Sequence, residues 1–294
     1  MHSIESYPKS NKPIVLAQIS DSHLFASIDS LHHGHNVLAN LKKVLLSICQ
    51  NPVIDSIVFT GDLTQDHSEQ SYQNFVDCVH ECDVCVPIYY LAGNHDEPEL
   101  LDKYFSKSPF QADKTLNLPQ WQVQLIDSKS ETPAGHVSEQ ALGELKDAIK
   151  ADKHQLVMMH HHPIDVGYFI DKHGLQNQTG FWQVIDCFDN VKAIACGHVH
   201  SAIQLSYPLD IPLETALVEP LVDALVISPN KSLSQQGTQK VDKVKEPVTL
   251  YTCPATSIQF DPSVDGVAAL DKGPGYRLFH LFANGKIATD VIYL

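Results

Sequence analysis

Arginine is almost missing: the 294 residues contain one, Arg277. A pair of guanidinium forks gripping a dianionic phosphate is therefore excluded within one chain, and any phosphate chemistry must draw its positive charge from elsewhere. Basic residues are scarce overall, with 20 Lys+Arg against 35 Asp+Glu and a formal net charge of −15 at pH 7. Such a field repels nucleic-acid backbones and anionic membrane surfaces, so neither is expected as a partner. No apolar run approaches the roughly 20 residues that span a bilayer. The opening Met1-His2-Ser3-Ile4-Glu5 also lacks the basic start and apolar stretch of an export signal. We expect a cytoplasmic protein. Seven cysteines, an odd number without an export signal, point to free thiols in a reducing compartment. Cys82-Asp83-Val84-Cys85, with Cys78 upstream, offers half a zinc site, but no second pair at matching spacing follows. Repeats of about 20–50 residues are absent too, which removes solenoids and propellers.

What the chain does hold is 43% hydrophobic residues, enough for a sizeable core in one large domain or two modest ones. Short apolar runs at 14–20, 56–60, 86–91, 122–126, 155–159 and 191–196 predict buried strands. Between them the spacing of Val37, Leu38, Leu41, Val44, Leu45 and Ile48 predicts a one-faced helix over 36–50, with further helices over 69–81 and 138–151. A second group of strands is expected at 248–252, 257–260, 276–281 and 286–293. This order suggests one α/β domain, a sandwich with mixed sheets. The stretch 207–247, broken by Pro212, Pro220 and Pro229 and then polar from 230 to 245, is expected to be an insertion: a lid, a self-association element or solvated decoration.

Histidine is abundant, at 17 residues, and neutral imidazole is the commonest protein ligand for transition metals. Five short clusters begin where strand-like runs end: Asp21-Ser22-His23, Gly61-Asp62, Gly93-Asn94-His95-Asp96, His160-His161-His162-Pro163 and Gly197-His198-Val199-His200. Singly, each has an ordinary reading as a turn, a cap or a solvated histidine. Together, carboxylate, carboxamide and imidazole groups at the ends of successive strands can converge on one crevice, and they point to a metal site.

In this order the clusters resemble the metallophosphoesterase (calcineurin-like) superfamily, whose pattern D-x-H, G-D, G-N-H-[DE], H and G-H-x-H is matched in full. The runs 61–66, 160–163, 254–260 and 274–277 look like the bacterial class III 3′,5′-cyclic-AMP phosphodiesterases within it. The resemblance implies a four-layer α-β-β-α sandwich with two mixed sheets and the metal site at the carboxyl ends of strands. It implies two divalent or mixed-valence transition ions (Fe, Mn, Zn or Co) bridged by Asp62, with Asp21, His23 and His200 completing one site and Asn94, His160 and His198 the other. A hydroxide between the ions would be the nucleophile. His95 would be the general acid, oriented by Asp66.

Substrate contacts are expected from His23, Asn94, His95, His161 and Arg277, with Phe25, Phe260 and Tyr276 as further nominees for a base-binding wall. His32-His33-Gly34-His35 either lines the pocket rim or lies on a solvated loop. Two divalent ions, less two carboxylates and a hydroxide, leave a net charge of about +1, which suits a phosphodiester monoanion. The protein-phosphatase branch places arginines where this chain has Gln65, Asp66, His67 and Asp96. The implied activity is hydrolysis of cyclic AMP to 5′-AMP, with a broader diesterase or a non-catalytic scaffold as alternatives.

Overall fold

The computed structural model describes residues 12–208 and 246–294, so nearly all of the expected insertion lies outside the described residues. In chain order the first strands are β1 (Ile14–Ile19), β2 (Leu31–His32), β3 (His35–Asn36), β4 (Ser56–Phe59), β5 (Ile88–Tyr90), β6 (Phe110–Gln111), β7 (Thr115–Asn117) and β8 (Trp121–Leu125). They are followed by β9 (His154–Met159), β10 (Val191–Cys196), β11 (Gln204–Tyr207), β12 (Val248–Thr252), β13 (Gln259–Phe260), β14 (Ala269–Leu270), β15 (Gly275–Leu281) and β16 (Ile287–Tyr293). The helices are α1 (Val37–Cys49), α2 (Glu69–Glu81), α3 (Pro98–Tyr104), α4 (Glu139–Ala148) and α5 (Gln178–Ile185), with a 3₁₀ turn at Phe169–His173.

Twelve strands form two six-stranded sheets, ordered β16-β15-β1-β4-β5-β6 and β11-β12-β10-β9-β8-β7. Both are mixed. β1 runs parallel to β4 and antiparallel to β15, while β10 runs parallel to β9 and β12, and β11 returns antiparallel on the outer edge. Alternation along each strand sorts the layers. Val15, Ala17 and Ile19 face Leu41, Val44 and Phe75 on the helices, whereas Leu16 and Val58 turn the other way. There they meet Trp121, Val123, Leu156, Met158 and Ala195 of the second sheet. The far face of that sheet packs Val157, Ile194 and Cys196 on Leu142, Leu145, Phe181 and Trp182 of α4 and α5. The molecule is thus the expected four-layer α-β-β-α sandwich.

Local chemistry sets the element ends. Asn36 Oδ1 accepts the Ala39 amide at 2.8 Å, Ser68 Oγ accepts from Ser71 and Ser138 Oγ from Ala141, three side-chain N-caps that start α1, α2 and α4. Helix α4 stops at Ala148 because Ile149 turns extended (ψ 115°), short of the expected end. Of the strand expected at 257–260 only Gln259 and Phe260 pair, in a two-stranded ribbon with β14. No helix among the described residues is long and apolar enough to cross a membrane.

Candidate metal centre

All five clusters sit just past the carboxyl ends of strands: Asp21 and His23 after β1, Asp62 after β4, Asn94 and His95 after β5, His160 after β9, and His198 and His200 after β10. The chain bends sharply at three of these exits, after β1, β4 and β10. Asp21 (φ 57°), His23 (45°), Asp62 (58°), His198 (66°) and His200 (50°) all occupy the left-handed region, at a cost of about 1–2 kcal/mol each for a residue with a Cβ. Strain concentrated in this way marks a functional site. Two glycines let the bends abut, since a Cβ on Gly61 would lie 2.3 Å from the Gly93 amide and one on Gly93 would lie 2.2 Å from Asp62 Oδ1.

Backbone and carboxylate bonds lock the bends together. The Asp21 amide donates to the Gly61 carbonyl at 2.9 Å, and the His198 amide to Asp21 Oδ2 at 3.0 Å. The His95 amide donates to Asp62 Oδ1 at 2.9 Å. Asp96, fully buried, accepts from the amides of Asp62, Leu63 and Gly93. Burial, and then the charge of Asp62, push the Asp96 pKa up to about 7. The sequence carried this residue only as the last letter of its motif, and its anchoring role emerges from these three bonds.

The seven expected ligands do come together. Donor atoms of Asp21, His23 and His200 lie within 4.8 Å of one another, as do those of Asp21, Asp62 and His160. Asp62 Oδ2 stands 3.7 Å from His23 Nε2 and 3.3 Å from His160 Nε2, which places it between the two groups. His160 Nε2 is also 3.2 Å from both Asn94 Oδ1 and His198 Nδ1.

The proton positions fit cations. His160 Nδ1 donates to the Thr60 carbonyl at 2.7 Å and His200 Nδ1 to the Ile258 carbonyl at 2.8 Å, so each neutral ring turns an Nε2 lone pair inward. Those lone pairs confront Asn94 Oδ1 at 3.2 Å and Asp21 Oδ1 at 3.4 Å. Acceptors aimed at acceptors in a dry interior repel unless a positive charge lies between them. Without an ion a proton takes that role: burial opposes the charged form of His160, but the Asp62 carboxylate prevails and raises its pKa to about 9. His23 and His198, chiefly through burial, are pushed well below the usual imidazole range. Mixed carboxylate, carboxamide and imidazole donors suit Fe, Mn, Zn or Co better than Ca.

Above the cluster lies a cavity of about 320 Å³, lined by His23, Asp62, Asn94, His95, His198 and His200 together with His32, His33, Phe169, His173 and Phe260. Its volume suits a small molecule. His95 lines it; its Nδ1 is buried without a hydrogen-bond partner, and burial lowers its pKa.

Several expected contacts are corrected. Asp66 does not orient His95: its carboxylate accepts from the Ala26 amide at 2.8 Å and from the Ser68 amide and hydroxyl, closing a turn. Arg277 is 3% exposed and donates to Thr252 O, Thr289 Oγ1 and Ile203 O, so its fork is spent inside the sheet. His161 does not line the cavity: its ring nitrogen lies within 4.8 Å of those of His160 and His198, but its Nε2 donates to Pro133 O and its Nδ1 accepts from Ser128 Oγ. Tyr276 is buried with its hydroxyl bonded to Ser47, and Phe25 packs on the helix-side core. Of the aromatic nominees Phe260 alone lines the cavity, stacked on His200 at 3.9 Å. The hairpin histidines resolve the other way, because His32 and His33 do line it. No cysteine belongs to any of the metal-binding groups found among the described residues.

A four-layer α/β sandwich with buried Asp, Asn and His side chains converging at its strand ends defines a metallohydrolase frame. The chain belongs to the calcineurin-like phosphoesterase family, whose profile matches residues 14–202. A protein of Colwellia psychrerythraea named "Probable cyclic nucleotide phosphodiesterase" is 66% identical over 99% of this chain and 98% of its own length. A Vibrio vulnificus protein named 3′,5′-cyclic adenosine monophosphate phosphodiesterase CpdA is 30% identical over 99% of this chain and 94% of its own. The fold is shared with a dimetal phosphatase of Danio rerio, at a TM-score of 0.59 and 12% identity, covering 95% of this chain and 98% of that one.

Proposed function

We propose that this protein is a dinuclear-metal phosphodiesterase that hydrolyses 3′,5′-cyclic AMP to 5′-AMP. The observation that carries this reading is the lining of the cavity, in which the described residues include His23, Asp62, Asn94, His198 and His200 of the ligand cluster and no lysine or arginine. Positive charge for the substrate would come from the ions, offset by Asp21 and Asp62, and the small surplus suits a monoanionic diester better than a dianionic monoester. The names of the two relatives agree with that charge balance.

Asp21, His23 and His200 would hold one ion, Asn94, His160 and His198 the other, and Asp62 both. When bound, such a pair supplies Lewis acidity and a water acidified enough to attack at neutral pH. His95 faces the cavity with its ring while its amide holds Asp62. There it would deliver a proton to the departing alkoxide. The ring has no carboxylate partner, so its orientation comes from packing: His67 stacks parallel at 5.7 Å and donates from Nδ1 to the His95 carbonyl at 3.0 Å.

The test is metal analysis of the purified protein together with steady-state turnover of cyclic AMP, cyclic GMP, 2′,3′-cyclic nucleotides, glycerophosphodiesters and bis-p-nitrophenyl phosphate. Two ions per chain and a preference for cyclic AMP are expected. Turnover of the other diesters without any of the 3′,5′-cyclic nucleotides would reject the assignment.

A further inference from the structure

Three histidines that line the cavity, His32, His33 and His173, belong to none of the metal-binding groups. Two of them sit on the hairpin of β2 and β3, where His32 pairs with His35 across a two-residue loop. Both loop residues, His33 (φ 46°) and Gly34 (φ 86°), have positive φ, as a type I′ turn requires. The first loop position favours Asn, Asp or Gly, because a larger side chain is strained there. A histidine held in that strained position at a cavity mouth, where turn formation gains nothing from it, calls for another role.

The ring geometry supplies one. His32 stacks parallel on His23, with centroids 5.4 Å apart and planes 4° apart, and His33 meets His32 edge-on at 4.7 Å. Phe260 stacks parallel on His200 at 3.9 Å and is joined by Phe169 at 5.3 Å. His23 and His200 are neighbours, with Nε2 atoms 3.1 Å apart. Flat rings from three separate elements therefore rise from the same end of the cluster, and all of them line the cavity. The hairpin is also anchored, since Asn36 donates to the Ile28 carbonyl and caps α1 with the same side chain. Rigid, planar surfaces of this kind suit the face of a nucleobase.

We propose that the β2–β3 hairpin is the base-recognition edge of the site, with His33 stacking on the nucleobase of the substrate while His32 supports it. This rests on the cyclic-nucleotide reading above, and adds to it where the base lies: over the Asp21, His23 and His200 end.

The test compares cyclic AMP with ribose 3′,5′-cyclic phosphate, which lacks a base, in the wild type and in His33→Asn and His33→Phe. Asparagine suits the turn, so thermal stability of His33→Asn should hold or rise. Its ratio of kcat/KM for cyclic AMP to that for the base-free diester should fall about tenfold, the scale of one lost base stack. Calorimetric affinity of the metal-loaded enzyme for 5′-AMP should weaken in step. His33→Phe keeps a ring and should retain most of the ratio. An unchanged ratio in His33→Asn, or equal losses on both diesters, would overturn the proposal. A wild type that cleaves bis-p-nitrophenyl phosphate but neither cyclic substrate would instead overturn the cyclic-nucleotide reading, and this inference with it.

Discussion

The carboxylate of Asp96 accepts the backbone amide of Asp62 at 2.7 Å, and through this bond the turn after β5 holds the turn after β4. Two more amides, of Leu63 at 2.8 Å and Gly93 at 2.9 Å, complete the set. One buried side chain thereby fixes the spacing between Asp62 and Asn94, the two residues on which sharing of an ion depends.

Replacing Asp96 by Ala would leave three buried amides without acceptors. Each such loss costs about 1–3 kcal/mol, so chemical denaturation should show a stability loss of about 3 kcal/mol or more, with weaker metal retention. Asp96→Asn keeps one acceptor oxygen and should fall between. Wild-type stability in the alanine variant would show that the three bonds are dispensable.

Chelation should lower the melting temperature as well as abolish turnover, because five left-handed residues and two buried carboxylates are held at the cluster. A ligand that binds only the folded state adds about 2.7 kcal/mol at a hundredfold excess over its Kd. The pH dependence has a definite sign. Ion-free His160, with its pKa raised to about 9, carries a proton at pH 7 that ligation must displace. Metal uptake should release that proton and tighten as pH rises from 7 toward 9, measurable by calorimetry in buffers of different ionisation enthalpy. Affinity that weakens over that range would contradict the ligand assignment.

The sandwich and the ligand clusters were legible in the sequence because both rest on short-range signals: apolar runs of strand length, and Asp, Asn and His placed where those runs end. Long-range pairings were not legible. Arg277 read as a rare cation free to meet substrate, yet it lies on β15 beside β1, where three acceptors from other segments satisfy it. His161 follows a ligand in sequence and its ring packs beside His160 and His198, but Ser128 and Pro133, distant in sequence, occupy both of its ring nitrogens. His32 and His33 looked like loop residues because nothing local shows that a type I′ turn folds them back over His23.

Asp66 separates structural from catalytic roles. Its carboxylate holds Ala26 and Ser68 at the surface and makes no bond to His95. Asp66→Ala should cost about 1 kcal/mol, the usual size of a lost cap, with kcat falling no more than about threefold. A drop of a hundredfold with metal content intact would restore Asp66 to the chemistry.

His95→Ala bears most directly on mechanism, because the backbone amide that donates to Asp62 Oδ1 survives the change. The ligand set should therefore persist, and metal content and melting temperature should stay near wild type. Loss of a positioned general acid typically costs about 10²–10⁴ in rate. Its size should depend on the leaving group. A ribose alkoxide needs a proton as it departs, whereas p-nitrophenolate leaves readily without one. His95→Ala should then suffer far more on cyclic AMP than on bis-p-nitrophenyl phosphate, with the alkaline-side limb of the pH profile, where a general acid loses its proton, flattened for cyclic AMP alone. Equal losses on both substrates would mean that the imidazole stabilises charge on the phosphoryl group rather than protonating the leaving oxygen.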